Sequence, residues 1–212
     1  LVGALREHLD AATLHLVTRL DRETSGVVVV ARHAAAARKY QMAMQNRRVE
    51  KIYLALLEGE LKSETTVDAP LARDEKSEVA VKRRVANAGE PGAETALTHF
   101  FPLVTANNVT LARIVPHTGR THQIRVHAAQ LGHAVVGDKL YGPDAALYLE
   151  FARQGWTARL AEKLPLRRQA LHAAHLRFLD DGLGDFTAPP AEDLAQFARE
   201  RLGLDLAAAW RE

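Results

Sequence analysis

Four consecutive valines, Val27 to Val30, follow directly on the segment HLVTRLDRETSG (15–26), which sets one acid, Asp21, between Arg19 and Arg22. This junction constrains the fold more than any other stretch. β-Branched side chains lose rotamer freedom in a helix and fit a pleated surface, so residues 26–32 are expected to form a buried strand. Thr24 and Ser25 offer hydroxyls for a tight turn, and Gly26 lets backbone approach closely before the strand begins. An isolated Asp at such a place is ordinarily a turn former. Flanked by cations, it is also a carboxylate kept ionised at an exposed edge on a rigid mount.

The aliphatic run ends at Ala31, far short of the roughly 20 residues a membrane helix needs. No basic-then-apolar signal segment opens the chain, and with no cysteine the sequence gives no sign of an oxidising compartment. With 212 residues, 47% of them hydrophobic, the chain has enough apolar material for a core. A cytoplasmic, monomeric protein is expected, folding as one domain over residues 1–212 with no membrane partner. The opening LVGALREHL reads as the middle of a helix and the first residue is Leu1, so a preceding segment is expected.

A net charge of +2 says little by itself, but its distribution says more. From Thr95 to Gly137 there is no Asp or Glu, while Arg113, Arg120 and Arg125 fall there with His99, His117, His122, His127 and His133. That block carries positive potential suited to a polyanion. Further basic pairs lie at Arg47-Arg48, Lys82-Arg83-Arg84 and Arg167-Arg168, each of which taken alone is a solvated face.

Hydrophobic periodicity and turn residues outline the rest. Residues 33–47 are rich in helix formers, with Ala36, Tyr40 and Met44 recurring on one side. Residues 49–59 read as a strand ending at Gly59, and strands are expected at 79–85, 95–104 and 109–115 with turn chemistry between them. This meander predicts a largely antiparallel sheet. Residues 121–132 resemble a helix with Ile124, Ala128 and Leu131 on its stripe and Thr118 or Thr121 as its cap. Residues 171–179 alternate as a strand, and 190–203 form a terminal helix with proline before and glycine after. The order lacks the regular alternation of a doubly wound fold, so the expected class is α+β: a central, mainly antiparallel mixed sheet flanked by helices, with a basic cleft.

No Gly-rich phosphate loop, G-x-G-x-x-G or H-E-x-x-H occurs. The spacing of His122, His127 and His133 does not bring two imidazoles onto one helix face, so no metal is expected. The carboxylate among arginines is the remaining candidate for chemistry, as a nucleophile toward a sugar anomeric carbon or an electron-poor ring. Glycoside hydrolysis asks for a second carboxylate, and no obvious partner is present. Tyr53 alternates with Ile52 and Leu54, which alone makes it a half-buried core tyrosine, and Arg125 alone reads equally as a surface helix residue.

Arg19-Leu20-Asp21-Arg22-Glu23-Thr24-Ser25-Gly26 resembles the R-L-D-x-x-T-S-G catalytic motif of the RluA-type pseudouridine synthases. VEKIYLAL (49–56) is similar to that family's Lys-x-Tyr strand, and PHTGRTHQIRVHAAQLGHAVVGDKLYG (116–142) to its T-G-R-T-H-Q-I-R-x-H segment ending in G-D-x-x-Y-G; LHAAHLRF and FTAPPAEDL match its closing strand and helix. The resemblance implies the pseudouridine synthase catalytic fold and isomerisation of specific uridines in structured RNA, with rRNA favoured over tRNA. It implies Asp21 as the nucleophile at C6 of the base or C1′ of the ribose, Tyr53 against the uracil and beside its C5 proton, and Arg125 as the partner that aims Asp21. On this view Arg125→Ala removes activity and spares the fold. Arg19 would hold the flipped nucleotide, and Arg120 and His122 would meet the phosphate backbone. No cofactor is implied. Two departures stand out: Thr18 occupies a position where the family usually has His, and the D-K-P-x-G-like stretch ordinarily found before the motif does not precede it here, nor does a separate RNA-binding domain. A sheet lacking that member, and a catalytically silent RNA-binding module, are the alternatives this leaves; a carboxylate-dependent glycosidase or nucleosidase is a third.

Overall fold

The computed structural model describes residues 2–206. A short helix α1 (Val2–His8) leads to three two-residue strands, β1 (His15–Leu16), β2 (Ser25–Gly26) and β3 (Val30–Ala31), and then to α2 (Ala34–Gln45). The sheet region follows as β4 (Val49–Glu58), β5 (Thr65–Asp68), β6 (Leu71–Arg73), β7 (Arg83–Val85), β8 (Leu97–Ala106) and β9 (Val109–Pro116). The chain continues through α3 (Gln123–Gln130), α4 (Ala146–Gln154), α5 (Ala158–Lys163), β10 (Leu171–Phe178), β11 (Asp185–Thr187) and α6 (Glu192–Leu202).

The central sheet runs β11-β10-β4-β9-β8-β5, all antiparallel, and β2 joins β10 in parallel. The expected α+β class with a mainly antiparallel mixed sheet is therefore what forms. Its local origin is plain: β8 and β9 are joined through Asn107 and Asn108, both in the left-handed region that Asn tolerates, so the meander closes as a hairpin. The main core joins Leu56 of β4, Phe100 of β8 and Ile114 of β9 to Ile124 and Ala128 of α3 and to Leu194 and Ala198 of α6. A second cluster seats Ala43 of α2 against Phe178 of β10 and Val29.

The segment expected as one buried strand, 26–32, forms differently. Gly26 pairs with Ala173 in parallel, residues 27–29 belong to no strand, and Val30–Ala31 pairs with His15–Leu16 instead. Gly26 is the cause. Its φ is +116°, and a Cβ there would lie 2.1 Å from the Ala173 carbonyl oxygen, so the chain crosses β10 at a contact distance only glycine permits. The Val27 amide then donates to the same Ala173 oxygen at 2.9 Å, while the Val29 amide donates to the Thr18 hydroxyl at 2.9 Å. Thr18 thus ties the loop to its own strand crossing. Of the expected strand 79–85 only Arg83–Val85 forms, paired with β6 rather than with the main sheet. Helices α4 and α5 were not foreseen; they build a satellite cluster of Leu147, Leu160 and Leu164 beside Phe151 and Trp156.

The crossing at Gly26 gives a direct test. Gly26→Ala lowers unfolding free energy by about 3 kcal/mol or more, because backbone must move. Gly132→Ala, at φ +81° with open space around it, lowers it by about 1 kcal/mol. Urea unfolding of the two variants measures the difference; equal losses would show that Gly26 is required for φ alone.

Candidate active site

Asp21 sits on the loop between β1 and β2, and that loop is held from several sides. The Thr24 amide donates to the Asp21 carbonyl at 3.0 Å, and Glu23 adopts φ +74°. A non-glycine residue there persists only when its surroundings over-determine it. Lys139 Nζ donates to both Glu23 carboxylate oxygens at 3.0 and 2.9 Å, and Arg168 donates to the Glu23 carbonyl at 3.1 Å. Gln169 Nε2 donates to the Arg22 carbonyl at 3.2 Å and the Thr24 hydroxyl at 2.9 Å. Ser25 Oγ meets His172 Nδ1 at 2.9 Å. Arg168 is itself fixed by a bidentate pair with Asp193 at 2.6 Å. The carboxylate thus stands on a loop bolted to residues far away in sequence.

Helix α3 approaches from the other side. His122 precedes it in the left-handed region, φ 58°, and no side chain caps the helix, which differs from the cap expected of Thr118 or Thr121. Thr118 instead accepts from the Leu97 amide at 3.1 Å and donates to Gln123 Oε1 at 2.6 Å, while Gln123 Nε2 donates to the Leu97 carbonyl. The acid-free block therefore satisfies its own polar groups at this turn. Every residue from Gln123 to Ala128 is buried, so Arg125 is no surface residue.

Arg125 is a hub. Its Nε and Nη2 donate to Asp138 at 2.6 and 2.9 Å, and its Nη1 donates to Asp21 Oδ2 at 3.3 Å. Asp138 is fully buried and also accepts from the amides of Leu140 and Tyr141. Burial pushes the Asp138 carboxyl up, but the Arg125 bonds and those amides outweigh it, and the net shift is downward. For Arg125 burial opposes the charge, and Asp138 together with Asp21 more than reverses this. The pairing expected between Arg125 and Asp21 exists, yet the shorter, two-pronged pair is with Asp138. That acid is the first one after the acid-free block, inside the G-D-x-x-Y-G stretch, and its position was the available signal.

Tyr53 lies on β4 between Ile114 of β9 and Ala173 of β10. Burial and then the nearby Asp21 charge push its phenol up to about 12, away from the phenolate. His122 Nε2 is 3.9 Å from Asp21 Oδ2 and its Nδ1 meets the Tyr141 hydroxyl at 2.8 Å. Burial first, then Arg125, push its pKa down to about 4 against the pull of Asp21. Asp21, Tyr53, Arg125, Arg19, Arg120 and His122, all foreseen from sequence, line one cavity of about 550 Å³, a volume suited to a nucleotide-sized ligand. Arg19 is exposed at its rim; Arg120 is held back by Glu94 at 2.9 Å and the Thr95 carbonyl at 3.1 Å. His122 stands in the cavity wall with 11% of its side chain exposed, against Asp21 rather than on an outer phosphate-facing surface. His127 and His133 turn elsewhere, to Thr98 and the Ala69 carbonyl and to the Glu58 carbonyl. Lys51, Asp138, Lys139 and Tyr141 belong to the site or its support and were not singled out by sequence.

Fold and cavity together define a nucleotide-sized site built around one carboxylate on the loop that leads into the parallel strand crossing. Residues 3–130 match the family described as RNA pseudouridylate synthase, and the chain belongs to that family. An uncharacterized RNA pseudouridine synthase of Chloroflexus aurantiacus is 39% identical over 188 residues, 87% of this chain and 52% of that protein. Ribosomal large subunit pseudouridine synthase D of Xylella fastidiosa is 36% identical over 202 residues, 92% of this chain and 58% of that protein. The chain thus spans little more than half the length of these curated relatives. The solved structure of human RNA pseudouridylate synthase domain containing 1 superposes with a TM-score of 0.72 at 31% identity, covering 87% of this chain and 71% of the other. No helix among the described residues is long and apolar enough to cross a membrane.

Two outcomes follow. Arg125→Met leaves Asp138 buried and uncompensated and lowers stability by about 3–5 kcal/mol, whereas Arg125→Met with Asp138→Leu recovers much of that, both read by denaturant unfolding. The idea that removing Arg125 spares the fold is thereby reversed by the buried pair. The second concerns His122. Its ring stays neutral through pH 5–8 in an NMR titration; a midpoint at the ordinary 6.5 contradicts the site geometry. Because the unfolded chain takes up that proton near 6.5 and the folded one only near 4, His122 makes stability fall as pH drops through that window.

Proposed function

We propose that this chain carries the catalytic centre of an RNA pseudouridine synthase, with Asp21 as its nucleophile. The observation that carries the reading is the convergence of Asp21, Tyr53 and Arg125, from three segments distant in sequence, on one nucleotide-sized cavity. Asp21 has about a quarter of its side chain exposed, enough to reach a substrate, and a single contact from Arg125 aims it. Its attack at C6 of the uracil or at C1′ of the ribose leads to the same bookkeeping of bonds: N1–C1′ breaks, the base turns, C5–C1′ forms, C5 loses a proton and N1 gains one. Nothing is oxidised and the formula is unchanged.

Tyr53 is given a narrower role than a ready-made base. Its phenol is protonated at neutral pH, so it takes up the C5 proton only while passing its own onward. Asp21 contributes to that upward shift, and once the carboxylate is bound covalently its charge is gone. With attack at C6 the adduct persists until C5 has lost its proton, so the phenol is more acidic at that stage; with attack at C1′ the carboxylate leaves as C5–C1′ forms, and its charge is back when the proton moves. Neutral His122 next to Asp21 fits a hydrogen-bonding role toward the nucleotide rather than a charge on phosphate.

The substrate is a structured RNA, with rRNA favoured because relatives of this chain are named for the ribosomal large subunit. Exposed Arg19 at the rim is suited to hold a nucleotide flipped out of its stack, and Arg120 to meet the backbone. The test is pseudouridine mapping on total RNA from cells lacking the gene, incubated with purified protein. Wild type introduces pseudouridine, and Asp21→Asn reduces the rate by about 10⁴-fold or more while unfolding as wild type does. Release of free uracil would turn the reading to a nucleosidase, and binding without modification, indifferent to Asp21, to an RNA-binding module.

A further inference from the structure

Most cations around the cavity already have partners. Arg125 is committed to Asp138 and Asp21, and Arg120 to Glu94 and the Thr95 carbonyl. Among the described residues Arg19 and Arg22 have no acid partner, but both are exposed, so water solvates them. Lys51 differs from all of these. It lines the cavity, it lies two residues before Tyr53 on the same face of β4, and among the described residues its ammonium has neither a carboxylate nor a hydrogen-bond acceptor. Gly119 makes room for it: a Cβ there would meet Lys51 Nζ at 3.3 Å. Burial, and then the Arg120 charge, depress its pKa.

A partly buried amine with no counterion, facing a second cation, is poorly stabilised in its charged form. A lysine kept for structure alone is normally paired or reaches solvent. What this corner lacks is an anion, and the ligand proposed above brings one with every nucleotide. We propose that Lys51 is the phosphate-binding group of the cavity, its ammonium bonding a phosphodiester oxygen of the nucleotide whose base lies between Asp21 and Tyr53. The two positions on β4 are about 6.6 Å apart along the strand, the scale of a single nucleotide. Arg120, restrained by Glu94, adds its charge without leaving its own partner. The inference rests on the RNA reading of the cavity.

The test compares wild type, Lys51→Met and Lys51→Arg by calorimetric titration with uridine and with uridine 3′,5′-bisphosphate, and then by steady-state modification of total RNA. Wild type binds the bisphosphate at least about tenfold tighter than uridine, the scale of one charged hydrogen bond. Lys51→Met loses that advantage while its uridine affinity stays within about twofold, and Lys51→Arg keeps most of it. On RNA, KM of Lys51→Met rises about tenfold with kcat within about threefold. Thermal unfolding of Lys51→Met is no lower than wild type, since an unpaired, partly buried charge has been removed, a result a structural lysine would not give. The proposal is overturned if the bisphosphate advantage survives in Lys51→Met, or if the loss falls in kcat alone and arginine does not restore it, which would make the amine a proton acceptor. A chain that modifies no RNA yet loses bisphosphate binding in Lys51→Met refutes the synthase reading and keeps the phosphate site. RNA modification with the advantage intact in Lys51→Met does the reverse.

Discussion

The site depends on one buried ion pair. Arg125 and Asp138 lie in a nearly dry interior, joined by two hydrogen bonds, and neither could remain there charged without the other. Such a pair is no guarantee of net stability, but it fixes geometry. With two of its nitrogens locked onto Asp138, the guanidinium has one left to present, and that one meets Asp21. The planar fork of arginine makes this possible, and lysine would have no equivalent. The direction of the Asp21 carboxylate is therefore set by an acid that does not line the cavity.

A second layer of restraints works on the backbone. The Asp21 loop lies between two chain crossings, at Gly26 against β10 and at Thr18 against Val29, and its left-handed Glu23 is held by Lys139 and Arg168. Lys139 is in turn boxed by Phe151 and Trp156, and Arg22 of the loop lies over the same Phe151 ring at 5.7 Å, so α4 and the residue after its C-cap bear on the loop through two cations. The opposite wall of the cavity is assembled differently. Tyr53 is paired on both edges of β4 and Lys51 on the β10 edge, and β-sheet register turns both toward the same face.

Much of this was legible in the chain. The periodicity of 34–45, 49–58, 97–106, 109–116, 171–178 and 192–202 gave helices and strands at nearly their final limits, because in each the local preference and the buried face agree. The four valines misled for a physical reason. β-Propensity describes fit to a half-buried pleat, and Val27 and Val28 are half-buried and Val29 buried without the strand neighbours a ladder requires. Residues 146–163 gave no strong signal, since two short helices closing over Leu147 and Leu160 owe their stability to one another. Asp138 is marked in the chain only as the first acid after a long acid-free block, and its partner Arg125 lies 13 residues away, so the pairing becomes visible only in the fold.

By itself the sequence determined the family, the α+β class and six residues that meet in one cavity, because motif spacing and residue chemistry are properties of the linear chain. Tertiary structure alone decided that Arg125 serves Asp138 before Asp21, that Tyr53 is held protonated, that His122 is neutral, and that Lys51 finds no partner among the described residues. Each of these is a balance between burial and neighbouring charge. Both quantities come into being only when segments distant in sequence are packed together and water is excluded between them.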